Sequence, residues 1–198
     1  MADLIARASV GVLFVLLSVN LLADFMRTRH LTGLLLLASE AMVVVLTIFR
    51  RRADGVDRTT AARVAAVVSM LGPPLLRASN GFSLVPDNVS AFASAVGFCV
   101  VIAGMFTLGR SFGIVPANRG VVAAGPYLFV RHPIYAGYLI THVAFLTAHP
   151  TAANMAIVLC ADTALVARAL FEERMLERDA TYRAYCTRVA WHLVPGVF

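Results

Sequence analysis

The chain has 198 residues, of which 60% are hydrophobic and 14% charged, and its formal net charge is +6. Soluble domains contain roughly 45–50% apolar and about 25% charged residues, so this composition excludes an ordinary water-soluble protein. All 17 basic residues are arginine. Because they lie mainly between or after apolar blocks, they indicate membrane orientation and contact with anionic headgroups rather than nucleic-acid binding.

Six apolar blocks follow one another along the chain, at 4–25, 31–49, 61–76, 89–108, 134–148 and 152–170. They predict transmembrane helices, because a helix needs about 20 residues to cross the hydrocarbon. Continuous apolar runs without a period of two argue against a membrane barrel. The block 134–148 is short and is expected to form a hairpin with 152–170 that only partly crosses. The predicted fold is therefore an all-α, polytopic integral membrane bundle of five or six transmembrane helices.

The first apolar block is predicted to be a membrane span rather than a secretory signal, because no strongly basic start and no small-residue cleavage site accompany it. The third block contains Gly72-Pro73-Pro74, which predicts a kink or a helix end because proline lacks the backbone donor. Asp24, Glu40 and Asp162 lie inside apolar blocks. A carboxylate there faces a substrate tunnel, hydrogen bonds a neighbouring helix or lies near the membrane interface, and these three interpretations stay open.

We expect a single membrane domain over residues 1–198, with N-terminal transmembrane helices in 1–88 and the residues that carry chemistry in 89–198. From Gly109 to His132, glycine, proline and arginine replace the apolar pattern and predict a loop. The tail from Phe171 to Arg188 predicts one amphipathic helix that leaves the membrane. The distribution of arginines predicts that this loop and the C-terminus lie on the cytoplasmic side. With an even number of spans the N-terminus would also be cytoplasmic, whereas five spans would place it outside.

The segment from Gly125 to Gly137, GPYLFVRHPIYAG, concentrates polar side chains at a predicted loop-to-helix boundary. Pro133 suits the first helical turn, where its missing N–H costs little. Free backbone N–H groups at such a helix start suit an anionic group of a ligand. The alternative is an interfacial belt, because arginine and tyrosine often anchor helix ends at the headgroups.

A second cluster of charged residues lies at the end of the last apolar block and consists of Arg168, Glu172 and Glu173. Arg168 and Glu172 are four residues apart and share one face of a helix. These charges are explained either by a solvated helix boundary or by a ligand site. Carboxylates bind cationic and hydroxyl groups through charge-assisted hydrogen bonds, as a sulfonium nucleotide requires.

The run GPYLFVRHPIYAGYL, preceded by RGVVAAGPY and followed by RALFEERML and YRAYCTRV, resembles the isoprenylcysteine carboxyl methyltransferase family and its bacterial relatives, which also resemble the phospholipid N-methyltransferases. The similarity covers approximately 108–195. It implies an integral membrane enzyme that transfers a methyl group from S-adenosylmethionine to a carboxyl, phenol, thiol or amine of a lipid-like or isoprenoid acceptor. It also implies that the C-terminal region forms the cofactor pocket on the cytoplasmic side.

The resemblance further implies site residues. The positions that match cofactor contacts of the family are Tyr127, His132, Pro133, Ile134, Tyr135 and Glu172, together with the stretch Arg119, Gly120, Val121 and Val122. Arg168 matches a position linked to the acceptor. A glutamine of the eukaryotic members has no identified counterpart between Phe112 and Asn118, which leaves one side of the pocket unassigned.

The expected chemistry is direct methyl transfer, for which positioning and exclusion of water matter most. Arg168 is expected to orient an acceptor carboxylate, whereas a phenol or amine requires a proton acceptor, for which His132 and Glu173 are the candidates. The expected partners are a lipophilic or prenylated acceptor and membrane lipid. Nucleic acid and metal are not expected, because Cys99, Cys160 and Cys186 lack metal-site and disulfide spacing. The expected location is multi-pass in a bacterial inner membrane.

Two alternatives belong to other classes. Membrane sterol reductases also carry an R-H-P-x-Y element and bind a nicotinamide cofactor, but theirs reads R-H-P-N-Y-x-G-E, and here Ile134 and Tyr138 stand at the asparagine and glutamate positions. The other alternative is a non-enzymatic membrane protein, such as a small transporter or an assembly factor, in which Arg-His-Pro is an interfacial anchor. No repeat between halves, a frequent mark of transporters, is visible.

Overall fold

The computed structural model describes residues 59–79, 81–111 and 120–198 continuously, with the pairs 55–56 and 117–118 and scattered positions between 12 and 41. The first two predicted spans fall mostly outside these residues, as do Asp24, Glu40 and Arg119. Within the described part, the helices are α1 (Thr60–Leu75), α2 (Asp87–Leu108), α3 (Pro133–Ala148), α4 (Ala152–Leu176) and α5 (Ala180–Cys186). The predicted helical class is thus confirmed for this part of the chain.

Short elements complete the connections. The 3-10 helices Gly109–Ser111 and Gly125–Leu128 lie in the predicted loop. A two-residue antiparallel pairing joins β1 (Gly55–Val56) to β2 (Ala117–Asn118), with Gly55 opposite Asn118. No sequence pattern predicted this pairing, because two residues are too few for a strand pattern to be recognised.

Two of these helices, α2 with 22 residues and α4 with 25, are long and apolar enough to cross a membrane. The helices α1 and α3 are apolar but have 16 residues each. The 16 residues of α3 match the short block 134–148, but the expectation that α3 and α4 only partly cross the membrane stays a prediction. The number of spans, five or six, stays a prediction.

The helix ends follow local sequence with one exception. The Thr59 hydroxyl caps α1 by accepting a hydrogen bond from Ala62 N at 3.3 Å, and this helix ends at Leu75, directly after the predicted proline break. The prediction of a single amphipathic helix from Phe171 to Arg188 is wrong. Instead α4 continues to Leu176, and a new helix begins after Asp179, whose carboxylate accepts from Thr181 N at 2.8 Å. A capping aspartate inside a charged stretch therefore divides the tail.

The helices pack in two close pairs: α2 lies on α3 and α1 lies on α4, whereas α3 and α4 contact each other at few positions. Asn154, in the first turn of α4, is buried and connects the end of α1 to the turn between α3 and α4. Its amide donates to the carbonyls of Arg77 at 2.8 Å and His149 at 2.9 Å. These bonds fix the end of α1 to the turn between α3 and α4.

The close approach of α2 and α3 depends on facing glycines. A Cβ atom added at Gly137 would lie 2.7 Å from Gly97 O and 2.9 Å from Val101 N. Since backbone atoms cannot move aside cheaply, Gly137→Ala is expected to destabilise the protein by about 1–3 kcal/mol. We expect a lower melting temperature in detergent than for Gly81→Ala, because an added Cβ at Gly81 meets nothing within 4 Å. Equal melting temperatures of the two variants would contradict this packing.

The C-terminal segment after α5 returns to the start of α3. Arg131 N donates to Trp191 O and His132 N donates to His192 O, both at 2.9 Å. Val189 is buried in this arrangement. The predicted loop and the C-terminal segment are thereby joined on one side of the bundle.

Candidate active site

A pocket lies where the end of α2, the loop 120–132, the start of α3, the end of α4 and α5 meet. Its cavity volume is about 70 Å³, and this cavity opens into a depression whose total empty space, including open solvent, is about 680 Å³. Its described lining consists of aliphatic side chains and tyrosines together with Ser111, Gly120, Arg131, His132 and Glu172. A cavity of this kind, mostly apolar with a few convergent polar groups, is typical of small-molecule sites.

Glu172 is the carboxylate that lines this pocket, and it is held in place by Tyr135. The Tyr135 hydroxyl donates to Glu172 Oε2 at 2.8 Å. The His132 ring stacks on the Tyr135 ring with centroids 5.3 Å apart and planes within 4°. Because Pro133 starts α3 here, the loop residue His132 and the first-turn residue Tyr135 are brought side by side. The carboxylate is thus fixed by one hydrogen bond and a stacked pair of rings.

Three further tyrosines form an aromatic wall. Tyr127, Tyr182 and Tyr185 line the pocket, and the Tyr185 hydroxyl donates to Tyr127 O at 2.7 Å. Burial raises the pKa of Tyr185 to about 12. Burial also raises the pKa of Tyr127, and the nearby Glu172 adds to that effect. These phenols therefore stay neutral at physiological pH, and neutral rings beside a carboxylate attract a cationic ligand.

The neighbouring carboxylate, Glu173, faces away from the pocket and holds three cationic or titratable side chains. Its Oε2 atom is 3.0 Å from Arg131 Nη1, and its Oε1 atom is 2.8 Å from His132 Nε2 and 2.6 Å from His192 Nδ1. Glu173 is 4% exposed. Arg131 also donates through Nε to Val189 O at 2.8 Å. We call Glu173 with Arg131, His132 and His192 the Glu173 cluster; it joins loop, α4 and C-terminal segment.

Arg168 lies one helical turn before Glu172 and is buried. Its guanidinium carbon is 5.1 Å from the centroid of the Tyr135 ring. Arg168 is not among the residues that line the pocket, whereas Tyr135, whose ring it contacts, is. A cation over an aromatic face is a favourable contact.

The structure brings together most of the residues predicted for the cofactor. Those that line the pocket are Gly120, Val121, Val122, Tyr127, His132, Ile134, Tyr135 and Glu172. Pro133 does not line it, because the ring packs towards Gly104 of α2. Arg119 lies outside the described residues.

Sequence reasoning did not assign several lining residues. They are Leu108, Ser111, Arg131, Leu176, Tyr182 and Tyr185. The two tyrosines of the tail are three residues apart and belong to the YRAY motif, so their common helix face was a usable signal. The aliphatic residues carried none, because a pocket leucine and a lipid-facing leucine are alike in sequence.

Within the described residues, no group of three or more histidines, cysteines and acidic residues is arranged to hold a metal ion. Residues 91–181, which contain the pocket loop, the start of α3 and both glutamates, match the family model of the isoprenylcysteine carboxyl methyltransferases. No curated protein matches the chain.

Proposed function

Because the region 91–181 belongs to the isoprenylcysteine carboxyl methyltransferase family, we propose that the protein is an integral membrane methyltransferase that uses S-adenosylmethionine and a lipid-like acceptor. The proposal places the cofactor in the pocket lined by Tyr127, Tyr135 and Glu172. The acceptor is a carboxyl, phenol, thiol or amine carried on an apolar chain. The proposed reaction type rests on the family match, and the proposed cofactor site rests on the pocket.

The observation that carries the proposal is the fixed carboxylate in an aromatic pocket. Glu172, which accepts from the Tyr135 hydroxyl at 2.8 Å, is the acidic side chain among the described lining residues, and four tyrosines line the same pocket. A carboxylate receives an amino group or ribose hydroxyls through charge-assisted hydrogen bonds, and aromatic rings favour a cation. When bound, S-adenosylmethionine supplies a methyl group on a cationic sulfur, which fits both features.

The protein's own part in the reaction is to position the acceptor and to exclude water from the site. Direct displacement needs no covalent intermediate with the enzyme, so the rate enhancement comes mainly from correct placement of the acceptor. We assign acceptor orientation to Arg168, which lies 5.1 Å over the Tyr135 ring. A carboxylate acceptor needs no base. For a phenol or an amine, we assign the role of proton acceptor to His132, which lines the pocket. Glu173, the other candidate from the sequence, faces away from the pocket, and its 2.8 Å contact with His132 Nε2 supports a positioning role.

The proposed orientation puts the pocket, the loop before α3 and the C-terminus on the cytoplasmic side of a bacterial inner membrane. Its support is the arginine distribution, because arginines accumulate in cytoplasmic loops of membrane proteins. A cytoplasmic pocket also has direct access to a water-soluble nucleotide. The acceptor reaches the same region from the lipid.

Calorimetry on the detergent-purified protein tests the cofactor. We expect S-adenosylmethionine and S-adenosylhomocysteine to bind and NADPH not to bind, because Glu172, the carboxylate among the described lining residues, favours a cation and repels the phosphates of NADPH. Binding of NADPH alone would support the reductase alternative, and binding of neither nucleotide would support a non-enzymatic role. Transfer of labelled methyl groups into a total lipid extract then identifies the acceptor.

A further inference from the structure

Arg131 is a cation in the wall of the pocket, and its side chain is 13% exposed. Its Nη1 atom donates to Glu173 Oε2 at 3.0 Å, Nε donates to Val189 O at 2.8 Å, and Nη2 donates to Cys186 O at 3.4 Å. These acceptors belong to α4, to the end of α5 and to the segment after it. The guanidinium is therefore held in one position at the edge of the cavity.

The contacts of Arg131 within the described residues do not use its full donor capacity. A guanidinium carries five N–H groups and no acceptor. Three contacts account for three of these groups, so one hydrogen on Nη1 and one on Nη2 remain for a ligand. Arginine binds carboxylates and phosphates through such N–H groups in charge-assisted hydrogen bonds. A fixed guanidinium in a pocket wall thus offers a site for an anionic group.

The start of α3 adds to this preference for an anion. The helix begins at Pro133, two residues after Arg131, and no side chain caps it. The first N–H groups of a helix have no partners inside the helix, and together with the helix dipole they favour a negative charge. Both features lie at the loop-to-helix boundary that forms part of the pocket wall.

A negative and a positive group face the same cavity, because Glu172 lines it together with Arg131. Their proximity is visible at Tyr182, which also lines the pocket. Burial raises the pKa of Tyr182, the negative charge of Glu172 adds to this effect, and the positive charge of Arg131 opposes it. A ligand that contacts both charged side chains needs a cation and an anion close together. An α-amino acid has this arrangement, because its ammonium and carboxylate groups are attached to one carbon atom.

We propose that Arg131 binds the methionine carboxylate of S-adenosylmethionine, while Glu172 binds the amino group on the same carbon. This inference rests on the proposed function and deepens it, because it fixes which end of the cofactor contacts this part of the pocket. It also makes Arg131 a specificity-determining residue for nucleotides that carry an amino acid. An arginine that only ties the C-terminal segment to the loop would need the three internal contacts alone and would not distinguish one nucleotide from another.

Calorimetry on the detergent-purified protein tests this by comparing S-adenosylhomocysteine with its decarboxylated form, in which hydrogen replaces the carboxylate. We expect the wild type to bind S-adenosylhomocysteine on the order of 10- to 100-fold more tightly, because charge-assisted hydrogen bonds are lost in the decarboxylated form. Arg131→Gln should remove most of this preference, whereas Arg131→Lys, which keeps a cation, should retain part of it. Arg178→Gln is the matched control, since Arg178 is exposed and does not line the pocket, and it should keep the wild-type preference.

Glu172→Gln separates the two charged side chains. It should keep the preference for the carboxylate but lose the preference for S-adenosylhomocysteine over its deaminated form, in which hydrogen replaces the amino group. Arg131→Gln should behave in the opposite way. A merely destabilised protein would instead lose affinity for all three nucleotides equally, so the pattern distinguishes recognition from a structural role.

Equal binding of S-adenosylhomocysteine and its decarboxylated form to the wild type would overturn the proposal; this result is expected if Arg131 binds an acceptor carboxylate or only ties the C-terminal segment. An unchanged preference in Arg131→Gln would also overturn it. If Arg131→Gln does not fold, Arg131→Lys decides, and a wild-type preference in that variant counts against the proposal. Absence of binding by all three nucleotides to the wild type would refute the proposed function itself, whereas binding without a carboxylate preference would refute this inference alone.

Discussion

Glu172→Ala is expected to weaken S-adenosylmethionine binding on the order of 10- to 100-fold, measured by calorimetry on the detergent-purified protein. The reason is the loss of charge-assisted hydrogen bonds, each of which contributes about 1.5–3 kcal/mol. Glu172 is a lining carboxylate, and its contact with Tyr135 is 2.8 Å. The substitution removes the acceptor of the Tyr135 hydroxyl but leaves the Glu173 cluster in place, so the melting temperature without ligand should fall less than in Glu173→Ala.

Two control variants test whether the negative charge of Glu172 itself is responsible for the affinity. Glu172→Gln keeps the size of the side chain and an oxygen for the Tyr135 hydroxyl but removes the charge, so most of the loss in affinity should remain. Glu177→Gln removes an exposed carboxylate just beyond the end of α4 and should bind the nucleotide like the wild type. Wild-type affinity in Glu172→Ala would remove the cofactor from this pocket.

The second large effect is expected for Glu173→Ala, which should lower stability by about 3–5 kcal/mol, because removing one member of a buried charged group leaves its partners uncompensated. Arg131 and His132 would lose the carboxylate that they share, and His192 would lose its 2.6 Å contact. We therefore expect a lower melting temperature and release of the C-terminal segment. Limited trypsin digestion should cleave faster after the exposed Arg188.

Glu173→Gln is the matched variant for this cluster, since it keeps hydrogen-bonding atoms and loses only the charge; an intermediate melting temperature is expected. Because His132 stacks on Tyr135, Glu173→Ala should also weaken nucleotide binding, but its loss of stability should exceed that of Glu172→Ala. A Glu173→Ala protein with wild-type melting and digestion would show that the cluster does not hold the C-terminal segment.

Local sequence was sufficient where the cause was local. Continuous apolar runs must satisfy their backbone groups within the helix, so the positions of α2 and α3 followed from hydropathy. Pro133 marked the start of α3, as proline favours the first helical position. The tail was predicted less well, because the capping effect of Asp179 on α5 competed with a helical pattern that continues through it.

Two different causes bring the predicted site residues together, namely closeness in the chain and packing of distant segments. The loop residues Tyr127 and His132 and the first-turn residue Tyr135 are close in the chain, so their proximity needed little from the fold. Glu172 is far from them in sequence, and only the resemblance brought it into the same prediction. The structure adds Tyr182 and Tyr185 of α5, which reach the pocket because α4 and α5 are separated by the turn at 177–179.

By itself, the sequence determined that the chain forms apolar helices, where α3 begins and which loop carries the polar residues, because these depend on interactions within a few residues. Tertiary structure alone decided between two adjacent carboxylates. Successive helical residues point about 100° apart, so Glu172 faces the pocket while Glu173 faces the C-terminal segment. It also decided that His142 meets Asp162 and that His132 meets His192, because such contacts arise only when distant segments pack together.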